Sequence, residues 1–424
     1  MRHRHFEFFL RLAEQAEPEL RGPHQAAWLD RLDAQHDNLR AALDWALAGK
    51  AESGLPFVVA LVQFWLRRDY LSEAREWLEA AVARTKTAGR TATRARAING
   101  AMQAAFYHGD FGLARTCLEE SLAIFRELGD IGGIADSVCW QGLDAWQRSD
   151  YVAARSHFQE SLALFEQIED RWNIANTLHY WGHADLDQND LESARARFEE
   201  SLRLFRELGD IWQSIPLVKD LGLLAYLWDD YAAARPYYEE SLKSARQMAS
   251  KENIAEVLNM LGDLARCQGD YSQAESLYNG SLALLREMGT TTKTPSTLYN
   301  LACVALHQAD PQRASGLFGE SLAIFREQDD KKGVAECLAG IAGVMGAQGK
   351  AKQAATLFGA AETARESLGV TLWPANRIEH DRNVAALRSQ LDDSTFAAAW
   401  AEGRAMTLEQ AIAYAMETRD SGYD

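Results

Sequence analysis

The feature that most constrains this chain is a frame that returns every 40 residues without a slip. It reads GDFGLARTCLEESLAIFRELGD at Gly109–Asp130, SDYVAARSHFQESLALFEQIED at Ser149–Asp170 and NDLESARARFEESLRLFRELGD at Asn189–Asp210. Three further copies begin at Asp229, Gly269 and Ala309. Self-similarity at this period marks a solenoid, in which each unit is too small to bury its own apolar face and does so against its neighbours. The expected architecture is therefore all-α: a right-handed superhelical solenoid of helix-turn-helix units with a 40-residue period.

Within the frame, each residue type has a physical task. Gly ends one helix in the left-handed conformation, and the following Asp accepts from the first free amides of the next helix. Gly109, Gly129, Gly209, Gly269, Gly289, Gly349 and Gly369 occupy such turns. Asn189 stands in for glycine because it also tolerates positive φ. Between turns there is room for two helices of about 17 residues, each about 25 Å long. Small residues recur where helices cross: Gly142, Gly182, Gly222 and Gly262 on the first helix, and Ala114, Ala154, Ala194, Ala234, Ala274, Ala314 and Ala354 on the second. Aromatic rings follow four residues after these alanines at Phe158, Phe198, Tyr238, Tyr278, Phe318 and Phe358.

The pattern sets the expected organisation. Residues 1–50 form a helical lead-in, with a first helix carrying Phe6, Phe9, Leu10 and Ala13, and a second running from about Pro23 to Ala48. Residues 51–90 are an eroded unit, in phase through Ala74, Leu78 and Ala81. Seven clear units fill 91–369. Residues 370–424 leave the pattern as three short helices, Asn376–Leu391, Ser394–Arg404 and Leu408–Met416, expected to cover the last apolar face as a cap.

Composition removes several function classes. The formal net charge is −17, from 61 acidic and 44 basic residues, which disfavours a nucleic-acid backbone as partner. Five scattered cysteines contain no CxxC pair and fit a reducing compartment. The longest apolar stretch, Leu55–Leu66, is too short to span a bilayer, and the N-terminus lacks signal-peptide grammar. A cytoplasmic location is expected, with no membrane partner.

Catalytic motifs are missing as well. Gly349-Lys350 has the wrong glycine spacing for a phosphate loop and falls on a repeat turn. No GxSxG or HExxH occurs. Paired carboxylates such as Asp229-Asp230 and Glu199-Glu200 lie at turns or exposed faces. No enzyme activity and no cofactor are expected. One alternative carries a metal: His179 and His183, at i and i+4 with Asp187 a turn further, have zinc-compatible spacing. The same two positions also belong to the first helix of a unit, whose inner surface accounts for them without an ion.

The small-small-large grammar, Gly then Ala twelve and an aromatic sixteen residues on, resembles the tetratricopeptide repeat, lengthened from its usual 34 residues to 40. The resemblance covers roughly 52–369. It implies that first helices line a concave groove, with contacts at positions three before and one after the packing glycine. Those positions hold Asn99, Cys139, His179, Lys219, Asn259 and Tyr299, then Gln103, Leu143, His183, Leu223, Asp263 and Cys303. Phe106, Tyr107, Trp140, Trp146, Tyr180, Tyr226 and Arg266 join them on the same helices. These positions differ between units while the scaffold repeats, as a surface reading one specific partner would.

Both ends carry a second resemblance. AEPELRGPHQAAWLDRLDAQHDNLRAALDWAL (Ala16–Leu47) and the stretch Ala354–Met416 resemble the C-terminal helical region of bacterial STAND signal-transduction ATPases and transcriptional regulators of the AfsR, MalT and LuxR-like type. That resemblance implies a sensor arm that captures a protein, peptide or small-molecule effector and controls a nucleotide-binding module. No such module lies in this sequence. The alternative is a stand-alone adaptor that scaffolds protein complexes.

Overall fold

The computed structural model describes residues 2–49, 51–86, 89–290 and 292–420, with side chains to 417, and these contain helices and no strand. The chain divides into two compact units, Met1–Leu221 and Gly222–Asp424. In the first, α1 (Arg2–Glu19), α2 (Gln25–Asp33) and α3 (His36–Gly49) precede four hairpins. These are α4 (Ala51–Arg67) with α5 (Leu71–Arg84), α6 (Ala92–Tyr107) with α7 (Phe111–Leu128), α8 (Ile131–Gln147) with α9 (Tyr151–Gln167), and α10 (Arg171–Asp187) with α11 (Leu191–Leu208). The unit boundary falls inside α12 (Ile211–Leu227). The second unit continues with α13 (Tyr231–Gln247), α14 (Lys251–Cys267) with α15 (Tyr271–Met288), α16 (Thr294–His307) with α17 (Pro311–Glu327), and α18 (Lys331–Ala347) with α19 (Ala351–Leu368). It ends with α20 (Pro374–Gln390), α21 (Asp393–Arg404) and α22 (Leu408–Asp420).

The turn grammar is realised bond by bond. Asp110, Asp150, Asp190, Asp230, Asp270 and Asp310 each accept from the backbone N–H three residues on, at 2.9–3.2 Å. The left-handed residue before the cap is glycine in only some turns. Ser149 (φ 59°), Glu169 (56°), Asp229 (60°), Ala249 (52°), Ala309 (60°) and Asp329 (53°) adopt the same conformation. Helix packing on both sides therefore dictates the turn, and the side chain follows at a cost of about 1–2 kcal/mol where a Cβ is present.

The crossings follow the predicted small-against-large rule. A Cβ at Gly182 would lie 2.4 Å from the Phe198 ring, a clash that fixes glycine there. Phe198 and Ala194 are fully buried, and burying such a ring is worth about 1.5–3 kcal/mol. A further repeated bond was not expected. Ser161, Ser201, Ser281 and Ser321 each donate Oγ–H to a backbone carbonyl 26 residues earlier, at 2.7–2.8 Å. These four serines tie the second helix of their hairpins to the first, whereas Ser121, at the same place in the frame, donates within α7 to Leu118. The serine's unvarying place in the frame was the available signal.

The ends depart from expectation in two ways. The helix expected from Pro23 to Ala48 is broken into α2 and α3 at residues 34–35. Leu32 and Leu39 are seven residues apart, so their spacing concealed the interruption. The tail does form three helices, and α21 and α22 pack on α19. Helix α20 instead runs back across α14 and α18.

Candidate functional site

The sequence-predicted residues fall into three groups, set by which neighbouring side chains they meet. The first is an aromatic row in unit 1, formed by the C-terminal end of α6 and the middle of α8 and α10. Phe106 and Tyr107 set their edges against Trp140, with ring centroids 5.2 and 6.1 Å apart. Trp140 lies 6.3 Å from Tyr180, whose hydroxyl is 3.5 Å from that of Tyr107. Trp140 is buried, Phe106 and Tyr180 are half-buried, and Tyr107 is 48% exposed. Burial pushes the Tyr180 phenol well above its usual range, so it stays a hydroxyl. Edge-to-face contacts of this kind hold rings rigid at about 0.5–1.5 kcal/mol per pair. A preordered row with one exposed ring loses little entropy on meeting a partner.

The second group lies one turn away. Trp146 stacks on His183 at 5.9 Å, and its indole N–H donates to Asp187 at 2.8 Å. His179 and His183 converge on Asp220 of α12. Lys219, half-buried, brings its ammonium to 4.0 Å from the other Asp220 oxygen. Asp187, the acid expected beside the two histidines, is thus engaged by Trp146, and Asp220 takes the place beside them. The signal was present: neighbouring inner helices meet at offsets of 37 or 41 residues. Asn99–Asp136, Gln213–Asn176 and Asn300–Asp263 are 37 apart, and Trp146–Asp187 and His179–Asp220 are 41 apart.

Near the N-terminal ends of the same helices the surface is already occupied by the chain itself. Asn99 is buried and donates to Asp136. The Arg21 guanidinium lies over the Trp172 ring at 4.2 Å. Gln25 is fully buried and meets Gly209 and Asp210. Asp210, besides capping α12, takes Arg67 at 3.0 Å with both side chains fully buried, and accepts from the Trp172 indole at 2.9 Å. Burial raises the Asp210 carboxyl, but Arg67, the Trp172 indole and the Gln213 N–H together outweigh it and the carboxyl stays below its usual range. Gln103 is half-buried between this region and the aromatic row.

The third group sits in unit 2, and there the expected groove lining does not face solvent. Tyr226, Arg266 and Tyr299 are 2%, 2% and 6% exposed, and Asp263 is 8% exposed. Helix α20 reaches this face: Tyr226 accepts from the Ala375 N–H at 2.9 Å, and Arg266 donates to Asn376 at 3.0 Å and Asn300 at 2.7 Å. Tyr271 donates to Glu379 at 3.2 Å, and Arg377 reaches both Asp229 oxygens at 2.8 Å. Asp263 accepts from Tyr278 at 2.6 Å, while burial pushes its carboxyl up. Asn259, half-buried, accepts from Asn300 at 3.4 Å. In unit 1, Leu143 is buried because its apolar side chain joins Trp140, Phe158 and Trp181 in one core cluster.

Residues 135–207 and 214–287 match the tetratricopeptide repeat family model. No curated protein matches the sequence. A Rap protein complexed with competence and sporulation factor is 12% identical, with a TM-score of 0.54, covering 77% of this chain and 98% of that one. Aspartyl phosphate phosphatase F from Bacillus subtilis is 13% identical, with a TM-score of 0.51, covering 70% and 80%. At these identities the likeness is one of fold. No described helix is long and apolar enough to cross a membrane. The matched stretches and the capped hairpins that continue them establish that the chain carries a tetratricopeptide-repeat domain.

Proposed function

We propose that the chain is a non-catalytic binding module that captures a protein or peptide segment on the inner face of unit 1. The observation that carries this reading is the ordered row Phe106, Tyr107, Trp140 and Tyr180, with Tyr107 exposed beside polar groups. Aromatic rings edged by hydrogen-bonding groups are the composition of interface hot spots. Two further facts support it. The similar Rap protein was solved in complex with competence and sporulation factor. Unit 2 also shows that an inner face of this chain accepts a helix, since α20 lies on one.

The resemblance of both ends to STAND regulators extends the proposal: the module serves as the sensor arm of a signalling ATPase or transcriptional regulator. A free-standing adaptor would use the same face, and an ATPase module encoded in the same reading frame distinguishes the two. The binding test is affinity capture with the intact chain, identification of retained proteins, and titration of the retained partner. Tyr107→Ala and Trp146→Ala should each weaken that partner by more than about 1 kcal/mol. Val152→Ala, 84% exposed on α9, should leave it unchanged. Equal affinity in all three variants would move the site off this face.

A further inference from the structure

The residues around His179 hold a geometry that hydrogen bonding alone does not explain. His179 and His183 stand one turn apart on α10, and Asp220 comes from α12. His179 Nε2 lies 3.1 Å from Asp220 Oδ2, His183 Nε2 lies 3.1 Å from the same oxygen, and the two nitrogens are 3.2 Å apart. The three atoms form a nearly equilateral triangle.

Counting protons shows the difficulty. An ionised Asp220 offers acceptors only. Each imidazole must then present an N–H to satisfy its contact with the carboxylate. If both do so, two N–H groups face each other at 3.2 Å. If one imidazole presents a lone pair instead, that lone pair faces the carboxylate at 3.1 Å. Every assignment leaves one of the three contacts repulsive. A cation at the centre makes all three attractive.

The dimensions agree with that solution. Ligands at about 2.0–2.1 Å around a tetrahedral zinc ion are separated by about 3.3 Å. An ion at such distances from this triangle would sit about 1 Å out of its plane, leaving a fourth position open. Phe198 walls both imidazoles at 6.0 and 5.2 Å, and Trp146 stacks on His183, so the site is lined by rings that exclude competing ligands. Side-chain exposure rises from 3% at Asp220 and 8% at His179 to 27% at His183, giving an ion a way in.

We infer that His179, His183 and Asp220 bind one divalent transition-metal ion, zinc in the first instance, through two imidazole nitrogens and one carboxylate oxygen. Two histidines and one carboxylate are a donor set suited to zinc and to other first-row divalent ions. The site stands independently of whether a protein partner binds the aromatic row.

The test uses the full chain, carrying no histidine tag and stripped with a chelator, titrated with zinc chloride by calorimetry and with cobalt(II) by visible absorption. The expected result is one ion per chain, a tetrahedral or five-coordinate cobalt spectrum, and a higher melting temperature with metal. His183→Gln and Asp220→Asn should each weaken zinc at least about 100-fold, the upper range for losing even an outer-shell partner. Because Asp220 is buried, its variant is judged alongside His183→Gln, whose site is part-exposed, with helix content checked by circular dichroism. Failure of zinc, cobalt(II), nickel(II) and manganese(II) to bind at one per chain would overturn the inference. So would binding undiminished in both folded variants, which would assign the ion to the five free cysteines or to surface histidines.

Discussion

The inner faces of the two units are built on the same repeat and finished differently. In unit 1 the C-terminal end of α6 and the middle of α8 and α10 carry rings that touch one another and leave Tyr107 exposed. In unit 2 the corresponding helices carry Tyr226, Arg266 and Tyr299, and the chain's own α20 meets them. The scaffold residues cannot account for this contrast, because they are nearly the same in both. What differs is the set of positions that the repeat leaves free. In unit 2 those positions are matched to polar groups of α20; in unit 1 they are matched to one another.

The contrast can be broken most sharply at one repeat position. Asp210 and Asp230 both cap helices through the N–H three residues on, but Asp210 also neutralises Arg67 in a fully buried pair. Asp210→Ala should cost about 3–5 kcal/mol, because an uncompensated guanidinium is left inside. Asp230→Ala should cost about 1 kcal/mol as a lost cap. Thermal and urea unfolding of both variants checks the ratio, and equal losses would mean that Arg67 finds water when its partner is removed. Next in size, Ala194→Leu overfills the crossing against fully buried Phe198 and should destabilise by about 1–3 kcal/mol. A neutral result would contradict the packing register.

The docked α20 offers a pH test. His307 stacks on Tyr271 at 3.4 Å and faces Arg382 and Glu379; His380 packs edge-on to Phe358 near Arg365, Glu362 and Asp381. Burial first, then the neighbouring arginine in each case, lowers both imidazoles below their usual value. The docked helix therefore holds them neutral, while a released helix would take protons below about pH 6.5. Stability from docking is present above that value and is lost as pH falls toward the lowered values. Amide exchange in α20 should accelerate on going from about pH 7.5 to about pH 5.5, relative to α8 in unit 1. The smallest expected effect is at a turn: Ala309→Gly relieves a left-handed alanine and should stabilise by about 0.5–1 kcal/mol, read from the urea midpoint.

Much of the scaffold was legible because it repeats. Gly182 against Phe198 and the capping aspartates follow from spacing within a single period, and the three tail helices from helical apolar spacing of their own. The aromatic row was legible in part, since Trp140 and Tyr180 lie one period apart on successive inner helices, while Phe106 and Tyr107 stand outside that register. What spacing could not supply was long-range pairing. Nothing in PANRIEHDRNVAALRSQ says that Asn376 meets Arg266 or that Ala375 meets Tyr226. The fold-back is decided by complementarity of groups that share no period. Asp220 lay between these cases: it sits one period plus one residue from His179, an offset that becomes visible once the first cross-helix bonds are known.

The return of α20 also changes how unit 2 must assemble. A repeat array makes contacts mainly between neighbours, so its hairpins can fold one after another as the chain emerges. Here Arg266 waits for Asn376, 110 residues on, and Tyr226 for Ala375, 149 residues on. In unit 1 Gln25 waits 185 residues for Asp210. These late closures carry a loop-entropy cost and join distant hairpins into one cooperative block. A chain ending before residue 374 would leave Tyr226 and Arg266 uncovered, so unit 2 is sealed only after α20 has been made.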